Sequence, residues 1–544
     1  MEKNVCLTSL RFRLVVATIA MMVAAAISFS PIQAQQIEIQ GRTGARPGTR
    51  SEPAAVQPKS STSEEWFRIE FDGRNVGYES LRTSIAQRTA SQQAQNVPPD
   101  LLRRVRETRL KLRRFGTDVS VTAHLDTVET GDGLLFSWNL QRTAADGSTM
   151  ERTGIWNEKE RAYQLTEKSG GLKNSELLPC AEPVHSPIFN GWMPVVAAAN
   201  NRGWTSPVLF PETAAVADLK LHRTPDQALK LPDGRKFKAT RIEYWPSSEP
   251  DQRSSLYYDE EGRTLLIEQS MLGETLRIIR SDAATAMGEE NLESLDLQFR
   301  TVLPLKRAIA NVANSPSIRL VLTAGETEQL SLPDSEFQTV EQVSPNELIV
   351  TLKKVVPKEP ESTALKTRTD RHVQDEALQE SAWIDFRVPE IERKATIVAG
   401  GTSVPLEKCR RLTRHLWKEM RFHPFSTSLM PASQVLTKMQ GDCTEHAVLL
   451  CALMRSQQIP ARVVVGFVYV PDPTSFAPHM WVEAKVDGIW LPFDSTRGPD
   501  GIGLTHIKVA DSTLPGDIGS GTQLFIPLLS FLGHASVDIA RNPL

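Results

Sequence analysis

The chain has 544 residues, 40% of them apolar, with 62 Lys and Arg against 65 Asp and Glu and a formal net charge of −3. That length exceeds what one hydrophobic core organises, so two or three domains are expected. The near-neutral balance argues against a nucleic-acid partner, and five cysteines are too few for a disulfide framework in a chain of this size.

Arg11 and Arg13 precede an apolar run from Leu14 to Phe29, and Pro31-Ile32-Gln33-Ala34 follows it. This is the pattern of a secretory signal over residues 1–34, cleaved after Ala34. At about 16 residues the run also suits a short membrane anchor, so membrane contact is expected only if it stays uncleaved. The expected location is the periplasm or cell envelope. Cleavage would remove Cys6 and leave Cys180, Cys409, Cys443 and Cys451. A free thiol in an exported protein then calls for a chemical reason.

Residues 35–63 hold Gln, Ser, Thr, Pro and Gly with few large apolar side chains, the composition of a disordered linker. Residues 64–298 read as one large antiparallel β domain. Trp66 to Phe71, the turn Asp72-Gly73 and Val76 to Glu79 form a hairpin pattern, and Val119 to Leu125 and Leu134 to Leu140 continue the alternation. Arg103, Arg104, Arg106, Arg109, Lys111, Arg113 and Arg114 alternate in part with Leu110 and Leu112. They are expected on a solvated strand face rather than as a site for an anionic surface. Residues 299–355 contain the short strands Ile318 to Leu322 and Leu348 to Leu352, a small β module, and residues 356–380 form a charged, Pro-bearing linker.

The chemistry is concentrated in residues 381–544. Pro405 to Met420 is a predicted helix with Leu406, Cys409, Leu412, Leu416 and Trp417 near 3.6 spacing, and Cys409 belongs to its buried face. After Gly441-Asp442, the run from Cys443 to Met454 begins a second helix, with Cys443 at its N-terminus and Cys451 in its apolar interior. Amide N–H groups and the positive end of the helix dipole favour thiolate at such a position. The Cys443 N–H is the expected oxyanion donor. Val463 to Val470 reads as a buried strand. His479 to Val486, the turn Asp487-Gly488 and Ile489 to Asp494 form a hairpin. With that turn, His479 and Asp494 are diagonal neighbours on one face, and Pro492 is the residue most apt to shift the register. Acyl transfer then assigns Cys443 as nucleophile, His479 as proton carrier and Asp494 as its orienter.

The motifs G-D-C-T-E-H-A, I-P-A-R-V-V-V-G-F, H-M-W-V-E and W-L-P-F-D-S-T resemble the core of the bacterial transglutaminase-like superfamily over roughly residues 380 to 510. The resemblance implies a papain-like core with a Cys443-His479-Asp494 centre, and no cofactor is expected. The expected fold class is α+β: an N-terminal antiparallel β domain, a small β module, and a core in which the cysteine helix packs on the sheet bearing His479 and Asp494. Animal transglutaminases carry a transition-state tryptophan upstream of the cysteine. Trp417, the nearest candidate, sits on a helix as packing, which leaves the second oxyanion donor unassigned. No acidic cluster has calcium-loop spacing, so calcium activation is not carried over.

The expected function is cleavage or transfer of acyl groups at amide bonds of a protein or peptide partner through a thioester. Two alternatives stay open. One is an envelope binding or assembly protein that retains the scaffold. The other is a metal hydrolase built on Cys443, His446 and His479, for which His446 and its spacing supply too few ligands, so no metal is expected.

Overall fold

The computed structural model describes residues 62–540 apart from 87–99, 115–116, 144–148, 170–171, 189–202, 249–251, 289–291, 297–300, 310–314, 327, 355–375, 423–428, 473, 499–501 and 503. The signal and the first linker up to residue 61 therefore lie outside the described residues, as does most of the second, while Thr62 and Ser63, expected in the linker, already belong to the first strand. The chain forms two compact units that part between Leu297 and Gln298.

The N-terminal unit is a 16-stranded, almost wholly antiparallel sheet. Its first strand, Thr62–Phe71, lies mid-sheet between Arg74–Ile85 and Glu274–Ser281. The turn Asp72-Gly73 joins it to the next strand with both φ angles positive, at 52° and 73°, the geometry whose twist matches a two-residue hairpin. Val184 to Ser186 hydrogen-bonds the 133–135 segment on one side and Pro207 and Leu209 on the other, stitching distant parts of the strand order together.

In Leu102–Arg114 the even positions from 102 to 112 point inward, so the basic run does not form one solvated face. Arg103 and Arg113 are exposed and pair with Asp126 and Asp118. Arg104 and Arg106 are buried, Arg104 against Glu129 and Arg106 near Glu79. The period of two assigns faces regardless of charge, and the inward arginines are tolerated because buried carboxylates partner them. Arg152 adds hydrogen bonds to Glu167 and to the carbonyls of Pro211 and Glu212.

The C-terminal unit has four principal helices, α1 (Pro389–Ala399), α2 (Pro405–Glu419), α3 (Ala432–Lys438) and α4 (Cys443–Ser456). Helix α4 is buried along nearly its whole length, as an all-round apolar helix must be. Arg455 is buried at its C-terminal end and donates to the carbonyls of Gln379, Ala461 and Thr513.

The longer strands of this unit are β1 (Ser317–Thr323), β2 (Gln338–Ser344), β3 (Glu347–Lys353), β4 (Ala461–Pro471), β5 (Thr474–Val486), β6 (Ile489–Phe493), β7 (His506–Ser512) and β8 (Ser536–Ile539). One sheet runs β5-β4-β7, with Leu303–Pro304 and β6 pairing the free edge of β5. The small module has the order β2-β3-β1-β8, so its fourth strand comes from the tail of the chain. Gln338 joins the module to the β5-β4-β7 sheet: its side-chain amide bonds both the N–H and the C=O of Lys508. The apolar tail covers the core, with Phe531 buried edge-on against Phe467 at 5.8 Å between ring centroids.

Candidate active site

Asp442 is the N-cap of α4. Its carboxylate accepts from the Thr444 N–H at 3.0 Å, and Glu445 reaches back to the Asp442 N–H at 2.8 Å. This reciprocal cap fixes where the helix starts, and therefore where Cys443 sits. Gly441 is required beside it, because a Cβ there would lie 2.4 Å from Cβ and 2.7 Å from Oε2 of Glu445.

Strand β5 carries His479 in a gap. One stretch of its edge pairs with Leu303–Pro304 at Phe476 and Ser475, and another pairs with β6 from Val482 onward. Between them, among the described residues, 477–481 have no ladder partner on that side. The Met480 N–H, inside the gap, hydrogen-bonds the Cys443 sulfur. The hairpin has the expected register, Val482 opposite Phe493 through Val486 opposite Ile489, around Asp487 and Gly488 at φ 52° and 84°. Pro492 causes no slip, because β6 is an edge strand paired only with β5.

Asp494, just past β6, meets His479 as the diagonal geometry predicted, with Nε2 of His479 2.8 Å from Oδ2. The other carboxylate oxygen accepts from the Thr496 N–H at 2.8 Å and the Thr496 hydroxyl at 2.6 Å. Nδ1 of His479 is buried with no hydrogen-bond partner. Cys443, His479 and Asp494 are all at most 2% exposed.

Burial also sets the charges. It pushes the Cys443 thiol well above its ordinary value, and the Asp442 carboxylate adds to this while the Met480 N–H opposes it. The thiolate expected from the helix end is therefore outweighed by burial, and the resting group is a neutral thiol. Burial would raise Asp494, but the charges and hydrogen bonds of His479 and His506 hold it well below the usual carboxylate range.

Sequence reasoning missed His506. It stands at the start of β7, fully buried, with Nε2 3.2 Å from Oδ2 of Asp494 and Nδ1 2.9 Å from the Thr505 hydroxyl. Burial pushes its imidazole down to about 4. The run His506-Ile507-Lys508-Val509 signals a strand, but nothing in it names a partner three strands away.

Among the described residues, His479, Asp494 and His506 are the group whose ligand-type atoms converge, all within 4.8 Å. Nε2 of each ring is within hydrogen-bond distance of the carboxylate, so hydrogen bonds account for the cluster. His446 belongs elsewhere: its Nδ1 lies 3.0 Å from the Ser495 hydroxyl. Trp417 is 38% exposed on α2 and borders Gly498. Cys409 and Cys451 are buried in the core, as expected.

Residues 392–495 match the model of the transglutaminase-like superfamily. Among solved structures, a candidate cysteine protease from Cytophaga hutchinsonii is 18% identical, with 41% of this chain and 83% of that chain covered at a TM-score of 0.26. A β-barrel-like protein from Brucella abortus is 9% identical, with 40% and 95% covered at a TM-score of 0.30. The periplasmic domain of TgpA from Pseudomonas aeruginosa, bound to ethylmercury, is 17% identical, with 34% and 73% covered at a TM-score of 0.24. No curated protein matches the sequence. The cysteine helix, the histidine strand and Asp494 all lie within the segment that matches the transglutaminase-like core.

Proposed function

We propose that this protein is an exported cysteine enzyme that cleaves or transfers acyl groups at amide bonds of a protein or peptide, with Cys443, His479 and Asp494 as its reacting centre. One observation carries the reading: His479 turns Nε2 to Asp494 and leaves Nδ1 buried and unpartnered, while the adjacent Met480 N–H holds the Cys443 sulfur. Asp494 selects the tautomer in which Nδ1 has a lone pair for the thiol proton.

In this scheme the Cys443 proton passes to Nδ1 as sulfur attacks the amide carbon. The tetrahedral intermediate collapses, the C–N bond breaks, and the leaving amine takes the proton from His479. A thioester remains on Cys443. Water or a second amine then gives up a proton to His479 and attacks the thioester, restoring the thiol. Export is supported by the run from Leu14 to Phe29 and the Pro31 to Ala34 segment.

Full burial of Cys443 favours the second reading, a retained scaffold in a binding or assembly protein, in which the thiol is structural. The two separate on incubation with p-nitrophenyl acetate. An enzyme gives a burst of p-nitrophenol and an acetyl thioester on the Cys443 peptide, lost in Cys443→Ala. A scaffold gives neither.

A further inference from the structure

His479 and His506 sit on strands separated by β4, about 10 Å apart at the backbone, yet both reach one oxygen of Asp494. The intervening residue makes this possible. Gly466 pairs with His479 on one side and with Lys508 on the other. A Cβ on Gly466 would fall 2.0 Å from the Ile507 carbonyl oxygen and 2.8 Å from the Trp481 ring. Without that Cβ, Trp481 packs edge-on to His506 at 5.1 Å and lies 6.3 Å from the His479 ring.

The tautomer of His506 follows from its partners. The Asp494 carboxylate only accepts, so the proton of the neutral ring is on Nε2, and Nδ1 accepts from the Thr505 hydroxyl. Asp494 then receives four donors: His479 and His506 on Oδ2, and the Thr496 amide and hydroxyl on Oδ1. A buried carboxylate held this way stays in one orientation and resists protonation. His506 lies outside the segment that matches the family model, which ends at residue 495.

We propose that His506 is a positioning residue that holds Asp494 as a fixed carboxylate behind His479, and that Thr505 sets the tautomer it needs to do so. This rests on the acyl-transfer reading above. The ionisable groups facing the cluster are Cys443 and His446 from α4, His479 from β5 and Arg497 beyond β6, with Asp442 and Glu445 acting on Cys443. None of these replaces the N–H that His506 gives to Oδ2. Without it the anionic form of the coupled Cys443-His479-Asp494 group costs more, so the group takes up its proton at higher pH.

The test is the pH profile of p-nitrophenol release from p-nitrophenyl acetate by the full chain, with the Cys443→Ala rate subtracted. Wild type is compared with His506→Leu, which removes the donor, and His506→Gln, which restores an N–H at about the same reach. The expected result is an acid limb moved up by about one pH unit in His506→Leu, hence about a tenfold lower rate on that limb, and returned toward wild type in His506→Gln. His506→Asn, polar but too short to reach Asp494, takes the place of the leucine variant if that one does not fold. A rate lowered equally at every pH overturns the proposal, because a purely structural role does that. An unchanged profile overturns it as well. Wild type no faster than Cys443→Ala sinks the acyl-transfer reading itself, an outcome distinct from the other two.

Discussion

His446, one turn into the cysteine helix, lies 3.0 Å through Nδ1 from the hydroxyl of Ser495, the residue after Asp494. The helix that carries Cys443 is thus tied directly to the segment that carries Asp494. Breaking the tie leaves a buried polar atom unpaired. His446→Ala and Ser495→Ala are each expected to cost about 1–2 kcal/mol. Because they remove the same contact, their effects on urea unfolding should be less than additive by about 1 kcal/mol. Full additivity would mean that the two side chains do not interact.

Two of the buried histidines, His446 and His506, set an acid limit on stability. Burial holds His446 and His506 each down to about 4, while an unfolded histidine takes its proton near 6.5. Between those values the unfolded chain binds more protons, so stability present at neutral pH is lost as pH falls from about 6.5 toward 4. Each group accounts for about 3 kcal/mol over that window. The C-terminal unit's unfolding midpoint should drop steeply between pH 6.5 and 4.5, and less steeply in the His446→Gln, His506→Gln double variant. Equal slopes would contradict the neutral, buried state of the rings.

Gly466 has no room for a methyl group against Ile507 and Trp481. Gly466→Ala should destabilise by about 3 kcal/mol, as overpacking at a rigid backbone does, and should slow Cys443 chemistry by spreading His479 and His506 apart. A thermal melt and the p-nitrophenyl acetate assay check both. A variant as stable and active as wild type would mean that β4 and β7 separate freely.

Arg455 offers four hydrogen bonds to three backbone carbonyls from within the core. Arg455→Met keeps the length of the side chain but orphans those carbonyls, and is expected to cost about 3 kcal/mol or more. A loss below about 1 kcal/mol in urea unfolding would show that water replaces the guanidinium.

Much of the core was legible because its signals are local. A two-residue Asp-Gly turn fixes a hairpin register, and the register places His479 beside Asp494 whatever the rest of the chain does. The Asp442-to-Glu445 spacing likewise marks the start of α4 before any packing is known. What could not be read depends on contacts distant in sequence. His506 reaches Asp494 only because β7 returns beside β4 and Gly466 leaves space between them. The inward turn of Arg104 and Arg106 hinges on buried carboxylates at Glu129 and Glu79, and burial of Cys443 outweighs a helix-end effect that the sequence displays plainly. The tail strand β8 joins β1 across more than 200 residues, and no local pattern announces such a pairing.

In the proposed mechanism Cys443 is activated by His479 and Asp494 rather than by its position alone. Alkylation of Cys443 by iodoacetamide, followed at the Cys443 peptide by mass spectrometry across pH in wild type, His479→Ala and Asp494→Ala, tests this directly. Wild type should react about a hundredfold faster than either variant at pH 7, because burial keeps the thiol protonated in all three and only the intact pair takes its proton as sulfur attacks. Three superimposable profiles would contradict it and would leave Cys443 a structural thiol.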